Sequence, residues 1–172
     1  MKIGFTAGAF DLCHAGHMLM FKECKEHCDY LVVGLHTDPT IDRPEKNKPV
    51  QDIEERKAQL EAVKYIDKIV LYDTEKDLYD LLEKNDLGIN VRIIGADWKG
   101  KPFTGHDLPL ETVFNTRDHG YSSSNLRKRI YEAEKRSTSL KFSISRSGYF
   151  FYLKYFLSFN SSGKKPWSPY IS

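Results

Sequence analysis

The stretch YLVVGLH at residues 30–36 is apolar almost without a break. A strand with one face in water alternates apolar and polar side chains. A strand without that alternation is buried on both faces, as in a parallel sheet covered by helices. Other segments fall into place around it. KIGFTAG (2–8), KIVLYD (68–73) and VRIIG (91–95) read as further strands, and ETVFNT (111–116) as a weaker fifth. Helical patterns separate them: His14 to Cys28, then QDIEERKAQLEAVKYI (51–66) with Asp52 as its cap, then EKDLYDLLEKND (75–86) stopped by Gly88. SSSNLRKRIYEAE (122–134) reads as a last helix with serine caps. TDPTIDRPEKNKPV (37–50) carries three prolines and is a loop. This β-α-β-α order predicts an α/β fold, a doubly wound parallel sheet with helices on both faces.

Ligands of such sheets bind beyond the carboxyl ends of the strands. GAFDLCHAGH, HTDP, GADWKG and NTRDHGYSSS all follow strands at that edge. In the first, His14 and His17 stand three residues apart around Gly16, where a helix begins. A helix N-terminus offers unpaired N–H groups and the positive end of the dipole, an anion site. Two imidazole N–H donors aimed at the same anion would stabilise charge growing on a phosphate under attack.

The stretch GAFDLCHAGH resembles the GxFDxxHxGH form of the HxGH signature of the nucleotidylyltransferase superfamily, in its glycerol-3-phosphate cytidylyltransferase group. Glu55-Arg56 with KYIDKIV (64–70), GADWKGK (95–101) and RDHGYSSS (117–124) are similar to further segments of that group, in the same order. The resemblance covers residues 2 to about 132. It implies a Rossmann-like sheet and the reaction of CTP with a small alcohol phosphate, giving a CDP-alcohol and pyrophosphate. It implies that His14 and His17 stabilise the transition state at the α-phosphate, that Ala9 and Phe10 line the nucleotide site through their backbone, and that Gly16 makes room for phosphates. Lys46 would reach the phosphates from the loop, with Lys48 second to it by alignment. Arg117 would bind the β- and γ-phosphates, joined by Ser122, Ser123 and Ser124. Asp97 and Trp98 would lie near the nucleoside or the acceptor, Asp97 as a ribose partner. Mg²⁺ would arrive on the triphosphate, and the group's habit implies a homodimer.

The sequence departs from the group's pattern at three points. Lys64 stands in place of an arginine and keeps the charge of that nucleotide contact without its planar fork. Ala9 lacks a hydroxyl, and Asp118 adds a negative charge beside Arg117, partly offset by His119. These changes leave open an adenylyltransferase using ATP, or a nucleotide-binding module with weak turnover.

Composition bounds the rest. Residues 1–134 hold 19 Lys/Arg against 24 Asp/Glu, and residues 135–172 hold seven cations and no acid. The change marks a boundary between a catalytic domain, 1–134, and a basic tail, 135–172, that carries ten of the 22 aromatics. The tail is expected to be poorly ordered or unrelated to the domain, with a membrane-surface or partner-binding extension and an extra packing element as rivals. The acidic balance of the domain argues against a nucleic-acid partner. The start, MKIGFTAGAF, is not a signal peptide, and GYFFYLKYFLSF is too short to span a bilayer, so a cytoplasmic protein is expected. Cys13, Cys24 and Cys28 cluster with His14, His17 and His27, but no paired CxxC spacing accompanies them. Free buried thiols and no protein metal site are expected.

Overall fold

A computed structural model describes residues 1–137. Five strands, β1 (Ile3–Gly8), β2 (Tyr30–His36), β3 (Lys68–Tyr72), β4 (Val91–Gly95) and β5 (Glu111–Asn115), form one sheet. Every pairing is parallel and the order is β3-β2-β1-β4-β5. The chain winds outward from β1 to β3, then crosses back to lay β4 on the other side of β1. That reversal opens a crevice between the carboxyl ends of β1 and β4.

Helices cover both faces. On one, Phe21 and Cys24 of α1 (Ala15–His27) and Leu60 of α2 (Ile53–Glu61) meet Leu31, Val33 and Leu35 of β2. On the other, Leu78 and Leu82 of α3 (Glu75–Lys84) meet Phe5 and Val32. Alternate residues of β2 thus feed opposite cores, which is why its sequence never alternates. Burying a large apolar side chain such as Phe21 contributes roughly 1.5–3 kcal/mol. Where β1 faces α1, Gly4 leaves the room that Cys28 fills: a Cβ there would stand 2.5 Å from its Sγ.

Helix ends depart from expectation in two places. α2 stops at Glu61 rather than running to Ile66. Beyond it, Val63 N–H bonds Leu60 O and Ile66 N–H bonds Val63 O, each at 3.0 Å. Leu60, Val63 and Ile66 recur every three residues, a spacing that tight i→i+3 turns bring to one side as well as a helix does. α3 stops at Lys84, before Gly88, because Asn85 takes the left-handed conformation (φ 49°) and its Oδ1 accepts from Ile89 N–H at 2.6 Å.

By contacts the chain divides into two units, Met1–Leu126 and Arg127–Ser172. The last helix of the first unit begins at Ser123, after a cap at Ser122 whose Oγ accepts from Asn125 N–H at 3.2 Å. In the second unit residues 127–137 are helical, with Lys128 and Glu132 3.9 Å apart. The expectation for the tail falls on residues that lie, beyond 137, outside the described ones. Among the described residues no helix is long and apolar enough to cross a membrane.

Candidate active site

The chain leaves β1 through a bent path. Phe10 and Leu12 both have positive φ, 48° and 50°, a region that costs a non-glycine residue free energy and persists only where the surroundings enforce it. Phe10 turns its ring into the core, edge-on to His17 at 5.5 Å and tilted against Phe21 at 5.3 Å. The Asp11 carboxylate, buried, accepts from Val50 and Gln51 N–H at 2.9 and 3.0 Å. Leu12 N–H donates to Gln51 Oε1 at 2.7 Å. The loop carrying Lys46, exposed along most of its length, is therefore anchored at this edge where it enters α2.

His14 and His17 cap α1 on each other's main chain. Gly16 N–H donates to His14 Nδ1 at 3.1 Å, and His14 N–H donates to His17 Nδ1 at 3.3 Å. The rings stack 3.9 Å apart, 19° from parallel. Burial, reinforced by the charges of His14 and Arg117, pushes the His17 imidazole down to about 3. Burial, then His119 and Arg117, lowers His14 as well. Both rings are neutral at pH 7. Since each spends its Nδ1 lone pair on a backbone donor, the proton sits on Nε2. The result is two neutral N–H donors at a helix N-terminus whose first turn holds no acid, whereas α2 and α3 carry acids there.

The opposite rim comes from β4 and β5. Asn115, buried, accepts from Ala96 N–H at 3.1 Å and ties the loop after β4, with its 3₁₀ turn Ala96–Trp98, to the end of β5. Arg117, also at positive φ (50°), donates to Asp97 at 2.8 Å. Trp98 lies under the Arg43 guanidinium, 5.7 Å from its ring centre. Arg43 also pairs with Glu75. Ser122 caps the following helix, Ser123 Oγ donates to Asp11 O at 3.1 Å, and Ser124 is exposed on the first turn.

Thus Ala9, Phe10, His14, Gly16, His17, Asp97, Arg117 and the three serines meet at the carboxyl edge, the side where sequence reasoning puts them. One expected residue lies elsewhere. Lys64 lies between α2 and the start of β3, at the amino edge of the sheet, its ammonium 5.1 Å from the Tyr65 ring centre. Asp97, expected as a ribose partner, is paired with Arg117 in this structure. The space over Gly16 is occupied by imidazoles: a Cβ there would stand 2.7 Å from His119 Cε1 and 3.0 Å from His14 Cε1. Arg56, which sequence reasoning noted only within the Glu55-Arg56 segment and without a role, is 2% exposed. It donates to Ala9 O at 2.9 Å, His36 O at 2.7 Å and Thr37 O at 2.6 Å, and Nε reaches Gln51 O and Asp52 O at 3.2 Å. One guanidinium ties the exits of β1 and β2 to the start of α2.

All three cysteines are free thiols. Cys24 and Cys28 are buried, Cys28 Sγ donates to Cys24 O at 3.2 Å, and burial pushes the Cys24 thiol up to about 12. Among the described residues no group of three or more His, Cys, Asp or Glu could hold a metal ion.

A family model of cytidylyltransferase-like domains matches residues 5–129. The chain belongs to the cytidylyltransferase-like family. Its relatives in the family include the glycerol-3-phosphate cytidylyltransferase of Staphylococcus aureus, 31% identical over 131 residues that make up 76% of this chain and 96% of that protein. The Bacillus subtilis protein of the same name is 33% identical over 76% of this chain and 98% of its own. The bifunctional protein HldE of Campylobacter concisus is 33% identical over 77% of this chain, and there the chain spans only 28% of the relative's length.

Proposed function

We propose that this protein transfers CMP from CTP to the phosphate of a small alcohol phosphate, glycerol 3-phosphate or one like it, and releases pyrophosphate. The observation that carries the reading is the His14–His17 pair: two neutral rings, each with its Nε2–H left free by its cap bond, at the N-terminus of α1 beside the crevice between β1 and β4. Two relatives that this chain matches over almost their whole length carry the glycerol-3-phosphate cytidylyltransferase name, which favours that acceptor class.

An oxygen of the acceptor phosphate forms the new bond to the α-phosphorus. The bond from that phosphorus to the bridging oxygen breaks in line, and its electron pair leaves with pyrophosphate. Negative charge spreads over the equatorial oxygens, and donors fixed in advance stabilise it without reorganising. His14 and His17 supply two such donors. Arg117, released from Asp97, and the Ser122–Ser124 turn face the leaving end. Lys46 reaches the phosphates from its loop. Mg²⁺ carried on the triphosphate would neutralise the β- and γ-oxygens. The N–H-rich donor set here suits an ion brought by the nucleotide rather than one held by a cage of side-chain oxygens.

The test is pyrophosphate release with Mg²⁺ and glycerol 3-phosphate, CTP against ATP, in wild type and His17→Ala. Release with CTP is expected to fall at least about 100-fold in the variant, the scale of losing one preorganised donor. Release with ATP alone makes the protein an adenylyltransferase. Nucleotide binding without release with either nucleotide favours the non-catalytic module.

A further inference from the structure

We infer that His119 is a third imidazole of the phosphate site, contacting the pyrophosphate end of the bound nucleotide beside Arg117. The inference rests on the nucleotidyl-transfer reading above and adds a residue to it.

His119 comes from the loop after β5, yet it reaches the first turn of α1. Only the missing side chain of Gly16 allows this approach, because any Cβ there would collide with His119 Cε1 at 2.7 Å. A three-residue turn, closed by His119 N–H on Arg117 O at 2.7 Å, makes Arg117 and His119 neighbours and leaves Asp118 exposed between them. One short turn therefore delivers a guanidinium and an imidazole to a helix N-terminus that already holds two imidazoles.

Two further observations point to an anion. The His119 Nδ1 is buried with no hydrogen-bond partner among the described residues, although its ring packs against Tyr121 at 5.4 Å. Buried ring nitrogens in folded proteins are normally bonded, and an oxygen of a bound phosphate is the partner this one lacks. Second, the surrounding charges are unbalanced. The Arg117 guanidinium acts on His14 and His17 as a positive neighbour, and Asp11 is the acid opposing it at His17. Its carboxylate is engaged by Val50 and Gln51 N–H. A guanidinium and three imidazoles able to donate N–H bonds, gathered at one helix N-terminus, favour an anion over a neutral group.

The experiment is calorimetric titration of the full chain with inorganic pyrophosphate, in wild type, His119→Ala and His119→Gln, with a thermal melt of each. His119→Ala is expected to weaken pyrophosphate about tenfold, the value of one hydrogen bond to a charged group. His119→Gln, which keeps an N–H donor, recovers part of that. The KM for nucleotide rises in step, while the KM for the acceptor phosphate stays within twofold. If His119→Ala melts too low to titrate, the His119 ring-proton resonance of the wild type decides: a shift on adding pyrophosphate supports the contact and a static line overturns it. Pyrophosphate binding unchanged in His119→Ala, or an equal rise in both KM values, also overturns it and leaves the nucleotidyl-transfer reading standing. A wild type that fails to bind pyrophosphate removes the phosphate site itself, and both readings with it.

Discussion

Arg56 donates to five carbonyl oxygens on three separate segments while buried from water. Replacing it by methionine keeps the volume but strands those carbonyls without donors. Arg56→Met is expected to lower stability by at least about 3 kcal/mol, read from urea unfolding, and to raise the KM for nucleotide. Lysine is expected to restore little, since one ammonium cannot span carbonyls set around a planar fork. Arg56 belongs to a segment that was legible in the sequence, but its burial and its bonds were not. It sits among the charged residues of a helix where a solvated arginine is the ordinary reading, and only its burial reveals it. The placement of His14, Gly16, His17 and Arg117 was legible because each lies a few residues beyond a strand end, at the carboxyl edge. Lys64 was misplaced for the opposite reason: a motif match says which residue type recurs, not at which edge of the sheet it lies.

Among the elements, β2 and the alternation of strands and helices were readable because burial on both faces writes itself into composition. Helix ends were not. Spacing by three serves a 3₁₀ turn as well as a helix, so Leu60, Val63 and Ile66 extended α2 on paper by five residues beyond Glu61. The start of α2 was legible: Asp52 Oδ1 accepts from Glu55 N–H at 2.8 Å, and Glu55 Oε2 accepts from Asp52 N–H at 2.9 Å. Asp52→Ala breaks this reciprocal cap and is expected to cost about 1 kcal/mol in chemical denaturation. Gln51, one residue earlier, holds Leu12 N–H. Fraying of α2 should therefore also loosen the turn that leads into His14, and weaken nucleotide binding more than an exposed helix cap elsewhere, such as Thr74→Ala on α3.

For the whole molecule, the neutral histidine pair links folding to pH. In the unfolded chain His17 titrates near its ordinary 6.5, whereas the folded ring stays neutral down to about 3. Between those values the unfolded chain binds a proton that the folded chain refuses. Stability is then fully present above about pH 6.5 and falls as the pH drops through the window, by up to about 1.4 kcal/mol per pH unit for this group. His14, lowered in the same direction, adds to the slope. Urea midpoints measured from pH 7 to pH 4 are expected to decline in wild type and to decline less steeply in His17→Asn, whose amide oxygen can replace the Nδ1 acceptor without taking up a proton. The rim pair has its own consequence. Arg117 and Asp97 are each about half exposed, with 44% and 56% of their side chains in water, and a pair so placed holds with no more than about 1 kcal/mol. On the proposed reaction Asp97 is thus a built-in counterion for Arg117, one weak enough to give way to a phosphate of higher charge.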